Sequence, residues 1–192
     1  MCQSGPLYDQ RVRSRRVVVS GVPGSGKSTL GREVARGLDI AFLDKDDYLD
    51  ALFDSEPLTE TRSVLSRRAD DQFISDALVS GDAVVVSFWR RPELSTTSGT
   101  PTAWLEQSVD LVEVFCDCPP SVAVRRFEAR RRHVRHDDES RSTTDLLDQF
   151  TALAALGPIG LGSLVRVDTS THVDVDDLTA AIEAEVPDIR AR

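Results

Sequence analysis

The chain has 192 residues, of which 40% are hydrophobic and 29% are charged, and its formal net charge is -9. A chain of this length forms one domain and buries about 70% of the surface of the unfolded chain. The acidic pI of about 4.8 disfavours general attraction to phosphate backbones, so a nucleic acid is not expected as a partner. No apolar run is long enough to span a membrane, and the first residues lack the apolar stretch of a secretory signal. We therefore expect a cytoplasmic protein.

Residues 1–14 are polar and aperiodic, which predicts a flexible tail before one domain at 15–192. Short β-branched or apolar runs follow and predict strands at 17–20, 40–43, 83–86, 111–115 and 164–167. Helical patterning lies between them, at 28–38, 46–53, 59–80, 120–132, 143–156 and 174–186. This alternation predicts an α/β fold with a mostly parallel sheet. The Pro-, Ser- and Thr-rich segment 92–102 predicts a long loop, which in a compact domain is more often functional than idle.

The turn after the first strand has the pattern Gly, four residues, Gly, Lys, Ser between a buried strand and a helix. Its glycines allow successive backbone N–H groups to face phosphate oxygens, and the helix adds its positive dipole end. Lys27 is expected to reach the β- and γ-phosphates, and the Ser28 hydroxyl to ligate Mg²⁺. The predicted phosphate-binding residues are Gly21, Pro23, Gly24, Ser25, Gly26, Lys27, Ser28 and Thr29.

Two other classes of nucleotide protein are excluded. The chain contains no Asn, so it lacks the Asn-Lys-x-Asp element with which guanine-specific switches read their base. Thr29 occupies the third glycine position of a dinucleotide fingerprint, which excludes that motif. No predicted strand ends in Asp-Glu, so hydrolysis to water is not the obvious reaction.

Acidic residues follow the predicted strand 40–43, at the edge of a parallel sheet where ligands bind. A carboxylate at this edge can accept the proton of an attacking hydroxyl, and another can approach the water shell of a metal. We expect Asp46 to be the catalytic base and Asp44 to be the second catalytic carboxylate, facing the metal with Ser28. Asp47 is the reserve candidate. The alternative is that Asp46 or Asp47 only caps the following helix.

Six arginines occur within residues 125–135. A solvated charged face is one interpretation of this run. The other is a lid at about 130–142 that closes over a nucleotide, because guanidinium groups stabilise the charge of phosphoryl transfer and closure excludes water. Arg126 and Arg130 are one helical turn apart and can share a face. His133 and His136 are expected to shape the lid.

Four motifs together resemble the small P-loop kinases of the nucleoside-monophosphate-kinase-like group. They are GVPGSGKSTL at 21–30, FLDKDDY at 42–48, FCDCPPSVAVRRFEAR at 115–130 and LVRVDTS at 164–170. This group includes shikimate and gluconate kinases, chloramphenicol phosphotransferase and bacterial AAA-type ATP-binding proteins. The resemblance covers about 17–185. The first motif is highly specific for the superfamily, and the others are moderately specific for this branch.

The resemblance implies a three-layer P-loop fold with a five-stranded parallel sheet in the order 2-3-1-4-5, a helical lid, and ATP with Mg²⁺ as donor. It assigns metal water and the substrate hydroxyl to Asp44 and Asp46, and it puts Arg126 against the adenine. The candidates for lid arginines on the phosphates are Arg130, Arg132 and Arg135, and the residues expected to border the adenine are Asp168 and Thr169.

The chain departs from several relatives after the third strand, where it reads Ser-Phe-Trp-Arg-Arg in place of Asp or a glycine pair. An aromatic wall with guanidinium groups suits a ring-bearing or anionic acceptor. Trp89, Arg90 and Arg91 are therefore candidates for substrate binding. The alternative is that the aromatic residues belong to the core and the arginines are solvated.

The leading hypothesis is an ATP-dependent kinase that phosphorylates a hydroxyl of a small molecule such as a sugar, nucleoside or antibiotic. The alternatives are a kinase acting on a polynucleotide end or a nucleotide-sugar, as toxin-type kinases do, and a nucleotide-binding ATPase switch. The expected partner is the small-molecule acceptor, and no association with a membrane is expected. The protein is expected to be a monomer or a homodimer. The sequence does not name the acceptor.

Overall fold

The computed structural model describes residues 14–56, 59–91, 93–94, 98–108, 110–130, 133, 136, 141–187 and 189. The predicted tail lies outside these residues except for Ser14, which is buried. In chain order the elements are β1 (Arg15–Ser20), α1 (Lys27–Leu38), β2 (Ala41–Asp44), α2 (Lys45–Ser55), α3 (Arg62–Val79), β3 (Ala83–Val86), a 3₁₀ helix (Ala103–Gln107), β4 (Asp110–Asp117), α4 (Pro120–Ala129), α5 (Thr143–Ala155), β5 (Ser163–Asp168) and α6 (Val175–Glu185).

The five strands form one sheet in the order β2-β3-β1-β4-β5, and every neighbouring pair is parallel. In the centre of the sheet, Val17 of β1 is in register with Val84 of β3 and with Val112 of β4. All three side chains are fully buried. The strand order and the α/β class predicted for the chain are therefore confirmed.

Helices cover both faces of the sheet. The side chains of β1 therefore alternate between two hydrophobic cores, one on each face. Val17 and Val19 pack into a cluster that also contains apolar residues of α1 and α6. Val18 packs on the opposite face with Phe73 of α3. Val22 lies in a smaller cluster with residues of α4 and α5. The result is the expected three-layer arrangement, with α4 and α5 packed beside the turn that follows β1.

Some helix ends differ from the predicted ones. The helix predicted at 120–132 ends at Ala129, since Arg130 adopts an extended backbone with φ -85° and ψ 137°. The helix predicted from residue 59 begins at Arg62, because Thr61 is still extended. The short 3₁₀ helix was not expected from the sequence. None of the helices in the described ranges has both the length and the apolar character that crossing a bilayer requires.

Glu113 is fully buried in β4 and supports the turn between α5 and β5. Its carboxylate accepts hydrogen bonds from the backbone N–H groups of Ile159 at 2.7 Å, Gly160 at 2.8 Å and Leu161 at 3.3 Å. It also accepts a hydrogen bond from the hydroxyl of Ser20, the residue before the glycine-rich turn. One buried acid therefore ties the central strand β1 to the turn on the far side of β4.

The substitution Glu113→Ala leaves these buried donors without their acceptor, which we expect to lower the free energy of unfolding by about 3 kcal/mol. Equilibrium unfolding in urea measures the loss. The matched control is Glu106→Ala at an exposed position of the 3₁₀ helix, for which we expect a change within about 0.5 kcal/mol. Equal losses in the two variants would contradict a supporting role for Glu113.

Candidate functional site

The turn between β1 and α1 is shaped by three glycines with positive φ. Gly24, at φ 77°, lies so close to α4 that an added Cβ would be 2.2 Å from the Ala123 carbonyl oxygen. Gly26, at φ 92°, is the residue before the first turn of α1. Gly21 has φ 134°, and an added Cβ would be 2.7 Å from the Cys116 carbonyl oxygen. Only glycine fits the close approach at Gly21 and Gly24, so the motif forms the compact loop that its sequence predicts.

Lys27 begins α1 and folds back over this loop. Its Nζ donates hydrogen bonds to the carbonyl oxygens of Gly21 at 2.9 Å and Val22 at 2.8 Å. Burial lowers the pKa of the Lys27 ammonium, whereas Cys116 and the carboxylates of Asp46 and Asp44 act in the opposite direction. A cation is thus held at the loop with acidic groups near it. Anionic oxygens at the loop would give this ammonium further partners.

Asp44 ends β2 and caps α2. It is only 4% exposed, and its carboxylate accepts a hydrogen bond from the backbone N–H of Asp46 at 3.1 Å. Burial raises the pKa of the Asp44 carboxyl, while hydrogen bonds from the Ser28 hydroxyl and the Asp46 N–H oppose that rise. The structure therefore brings together Ser28 and Asp44, the two residues predicted to face a metal. The helix cap, which the sequence left open between Asp46 and Asp47, is Asp44.

Ser28 and Asp44 fit a magnesium ion by their chemistry. Magnesium prefers hard oxygen ligands, keeps several waters, and is usually bound by one or two protein oxygens together with substrate phosphates. A hydroxyl and a buried carboxylate next to a phosphate-binding loop provide such a donor pair. A cation there would also relieve the cost of burying the Asp44 charge.

Asp46 lies in the first turn of α2 and lines the same cleft as Lys27. Its carboxylate is 41% exposed and lies 4.0 Å from Nη2 of Arg130, whose guanidinium lies over the Phe127 ring. Arg130 lines the cleft from the side of α4. Asp47, the reserve candidate, is instead 65% exposed, 3.8 Å from Arg32, and does not line the cleft.

The cleft has a volume of about 250 Å³ and is bounded on one side by the loop. Six of the predicted residues line it: Pro23, Gly24 and Gly26 of the loop, and Lys27, Ser28 and Thr29 of α1. Ser25 is fully buried, and Gly21 borders a smaller neighbouring cavity. Most of the predicted phosphate-binding residues therefore share one cavity with Asp44 and Asp46.

Arg126, Asp168 and Thr169 form a separate group at the ends of β4 and β5. The Arg126 guanidinium donates hydrogen bonds to the carbonyl oxygens of Thr169 at 2.7 Å and Ser170 at 3.4 Å. The Asp168 carboxylate accepts hydrogen bonds from Ser170, which lower the pKa of that carboxyl. The Thr169 N–H donates to the Asp117 carbonyl oxygen at 2.9 Å. The structure thus brings together the three residues that the resemblance associates with adenine.

Trp89 and Arg91, two of the three substrate-binding candidates after β3, border a smaller cavity instead of the main cleft. Trp89 is 3% exposed, lies in the core beside Phe73, and donates its indole N–H to the Val19 carbonyl oxygen at 2.9 Å. Arg91 donates to the carbonyl oxygens of Gly157 and Pro158, the latter at 2.7 Å. Neither side chain lines the main cleft. The core interpretation of the tryptophan is the correct one, since its indole fills the space between β1 and α3.

Arg90 also lies outside the cleft, and its Nε is buried without a hydrogen-bond partner among the described residues. The cleft wall after β3 is made by Ser87 and Phe88 instead, together with Ser98 and Gly99 from the returning loop. This loop pairs with the backbone after β3, where Thr100 N–H donates to the Phe88 carbonyl oxygen at 2.8 Å.

The wall of the cleft opposite the phosphate loop contains residues for which the sequence predicted no role in binding. Lys45, Arg62 and Ser66 line it from α2 and α3. Lys45 is one of only two lysines in the chain and stands between Asp44 and Asp46, which is a signal that sequence alone contains. Nothing in the helical pattern of α3 distinguishes Ser66 or Arg62 from other polar positions.

The predicted lid is described only in part, and Arg132 and Arg135 lie outside the described residues. Its two histidines flank the ring of Phe53 in α2. His133 stacks on the ring at a centroid distance of 5.0 Å, and His136 meets it edge-on at 5.0 Å. His136 Nε2 is 2.6 Å from an Asp50 carboxylate oxygen. Both histidines therefore contact α2.

The raised pKa of Asp44 predicts that the free energy of unfolding of the nucleotide-free protein depends on pH. The folded state holds this proton more tightly than the unfolded state, so stability falls as the pH rises from the ordinary aspartate value of 3.8 through the raised value. We expect Asp44→Asn, which keeps a capping side chain, to raise the melting temperature at pH 7. The gain should shrink as the pH approaches 3.8.

Differential scanning calorimetry across this pH range measures the effect. The matched control is Asp174→Asn, which changes an exposed helix cap whose carboxylate accepts hydrogen bonds from Asp176 N–H and Asp177 N–H. A gain of the same size in the control, or a loss of stability in Asp44→Asn at pH 7, would contradict the prediction.

Comparison with known proteins agrees with this architecture. The AAA_33 family model, described as an AAA domain, matches residues 17–156. Shikimate kinases of Mycobacterium avium strain 104 and Mycolicibacterium paratuberculosis strain K-10 are each 34% identical over 74 residues. That match covers 36% of this chain, and the chain spans only 42% of the length of these curated relatives.

Solved structures show the same fold. A protein from Chloroflexus aurantiacus J-10-fl, provisionally described as a kinase, aligns with a TM-score of 0.68 at 20% identity, over 91% of this chain and 99% of its own. Shikimate kinase from Bacteroides thetaiotaomicron aligns with a TM-score of 0.57 at 16% identity, over 88% of this chain and 96% of its own. Since the family model spans well over half of the 192 residues, the chain belongs to the AAA_33 family.

Proposed function

We propose that the protein is a phosphotransferase that moves the γ-phosphoryl group of ATP to a hydroxyl of a small molecule. One observation carries the proposal. The P-loop lysine Lys27, the Ser28–Asp44 pair and the carboxylate of Asp46 all lie at one cleft. Phosphoryl transfer needs a charged cradle for the donor and a group that receives the acceptor's proton, and this cleft contains candidates for both.

The phosphate loop binds the triphosphate of the donor. Its backbone N–H groups and the N-terminus of α1 face the phosphate oxygens, and Lys27 turns from the loop carbonyls to the β- and γ-phosphates. Ser28 and Asp44 would hold Mg²⁺, which would supply positive charge against the phosphate oxygens of the donor.

Asp46 acts on the acceptor. The acceptor oxygen forms a bond to the γ-phosphorus, the bond between that phosphorus and the β–γ bridging oxygen breaks, and the hydroxyl proton passes to the Asp46 carboxylate. ADP leaves with the electron pair of the broken bond. The partial exposure of this carboxylate, at 41%, leaves it open to the cleft where the acceptor enters.

Arg130 stabilises the charge that spreads over the transferring group. Its guanidinium is 4.0 Å from Asp46 and lines the cleft from the residue after α4, where the predicted lid begins. A cation at this position faces both the carboxylate and the phosphoryl group that is being transferred. Because the guanidinium is already oriented, stabilising the transition state requires no reorganisation of the site. Arg126, held by Thr169 and Ser170, provides a flat guanidinium for the adenine ring to lie on.

The curated relatives are named as shikimate kinases, but the aligned segment is under half of their length. Their acceptor is therefore not transferred to this chain. Its own acceptor wall is made by residues from α2, α3 and the segments after β3, including Lys45, Ser66, Ser87 and Gly99.

The proposal predicts that Asp46→Asn lowers turnover by about 10²- to 10⁴-fold while ATP binding is retained, because the amide cannot accept the proton but leaves the phosphate loop intact. Incubation of ATP and Mg²⁺ with a panel of hydroxyl compounds, read by mass spectrometry and ADP release, measures turnover. Titration calorimetry measures ATP binding.

The matched control is Asp47→Asn, one residue away and outside the cleft, which should keep nearly full turnover. Equal losses in the two variants would refute the role of Asp46. ADP release that needs no acceptor in the wild-type protein would refute small-molecule phosphotransfer and favour an ATPase.

A further inference from the structure

Lys45 lies on the wall of the cleft opposite the phosphate loop, next in the chain to the proposed base Asp46. Its side chain is 12% exposed, and its Nζ donates a hydrogen bond to the Ser66 hydroxyl of α3 at 2.7 Å. The same Nζ is 3.9 Å from a carboxylate oxygen of Asp70, which is 13% exposed. The ammonium is thus held at the cleft surface by two groups of one helix.

Asp70 is itself held from the other side of the cleft. Its carboxylate accepts a hydrogen bond from the Thr100 hydroxyl at 2.6 Å. The Thr100 hydroxyl is in turn 2.5 Å from the hydroxyl of Ser87, which follows β3 and lines the cleft. A continuous series of polar contacts therefore runs from the first residue of α2, through α3, to the end of β3. Three members of the series, Lys45, Ser66 and Ser87, line the cleft together with Asp46.

The charges on this wall of the cleft favour one class of acceptor. Arg62 also lines it, but it is exposed at the start of α3, where solvent screens its charge. Asp70 balances the ammonium of Lys45 at close range and in a largely buried setting, so the pair offers little net attraction to an anionic group. Three serine hydroxyls, those of Ser66, Ser87 and Ser98, line the same part of the cleft. A hydroxyl group matches such a surface, because it accepts a hydrogen bond from an ammonium and donates one to a serine oxygen.

We propose that Lys45, Ser66 and Ser87 form a subsite that binds a second hydroxyl of the acceptor, and that the acceptor is an uncharged polyhydroxylated compound. This proposal rests on the phosphotransfer proposed above. Lys45 donates to the bound hydroxyl, and Asp70 and Thr100 keep the lysine and Ser87 in place. Because Lys45 and Asp46 line the same cleft, the bound hydroxyl lies near the hydroxyl that is phosphorylated.

The test uses the full chain with ATP, Mg²⁺ and a fixed set of acceptors. The neutral polyols are glycerol, D-glucose, myo-inositol and cis-1,2-cyclohexanediol. Cyclohexanol is the single-hydroxyl comparison, and D-gluconate is the anionic one. We expect product with at least one neutral polyol, with a kcat/KM well above that for cyclohexanol and not below that for D-gluconate.

Lys45→Met keeps the aliphatic stem and removes the donor. We expect it to raise the KM for the neutral polyol by about 10- to 100-fold, because a hydrogen bond to a charged group is lost, while kcat changes less than KM. Lys45→Arg, which retains a cation, should recover part of the loss. Arg67→Met on the exposed face of α3 is the matched control and should leave KM unchanged.

Thermal denaturation establishes that each variant is folded, and ATP titration establishes that the phosphate loop still works. If Lys45→Met fails to fold, Ser66→Ala replaces it, with an expected rise in KM of several-fold. A KM that does not change in Lys45→Met or Ser66→Ala, or a loss confined to kcat, overturns the subsite and leaves the phosphotransfer proposal standing. A higher kcat/KM for D-gluconate than for every neutral polyol, lost in Lys45→Met, overturns the proposal that the acceptor is uncharged. Absence of product from every compound, with ATP bound, counts against the phosphotransfer itself and removes the subsite with it.

Discussion

The site depends on one geometric constraint, the parallel direction of all five strands. In a parallel sheet every strand ends at the same edge, so residues that are distant in sequence meet there. Here Asp44 at the end of β2 comes beside Ser28 at the start of α1, and Ser87 follows β3 on the same edge. The hydrogen-bonded register of the strands thus decides which polar side chains share a cleft.

Burial at this edge of the sheet makes the charged forms of Lys27 and Asp44 unfavourable, and a ligand of opposite charge would reduce that cost. Desolvation lowers the pKa of Lys27 and raises that of Asp44, so each shift favours the neutral form of the group. Phosphate oxygens beside the lysine and a cation beside the aspartate would reverse both shifts. The same burial that costs stability in the free protein would therefore favour binding of the proposed nucleotide and metal.

The two walls of the cleft differ in how far the sequence predicts them. The phosphate loop follows a sequence motif, and its close contacts at Gly21 and Gly24 leave room for no side chain. The opposite wall includes Lys45, Ser66 and Ser87, which α2, α3 and the segment after β3 bring together. The proposed donor site is therefore predicted from the sequence, whereas the proposed acceptor site depends on the tertiary structure.

The sequence by itself determined the α/β class, the five strands and the phosphate loop, because these depend on local patterns of β-branched runs, helical stripes and glycine spacing. It also predicted that Asp44 and Asp46 lie at the carboxyl end of the second strand, where they line the cleft. It did not determine that Trp89 is a core residue or that Lys45 contacts Ser66, 21 positions away. Whether a polar or aromatic side chain faces a cleft or the interior depends on long-range packing against α3 and the returning loop. Only the tertiary structure supplies that packing, since neither contact leaves a periodic signal in the chain.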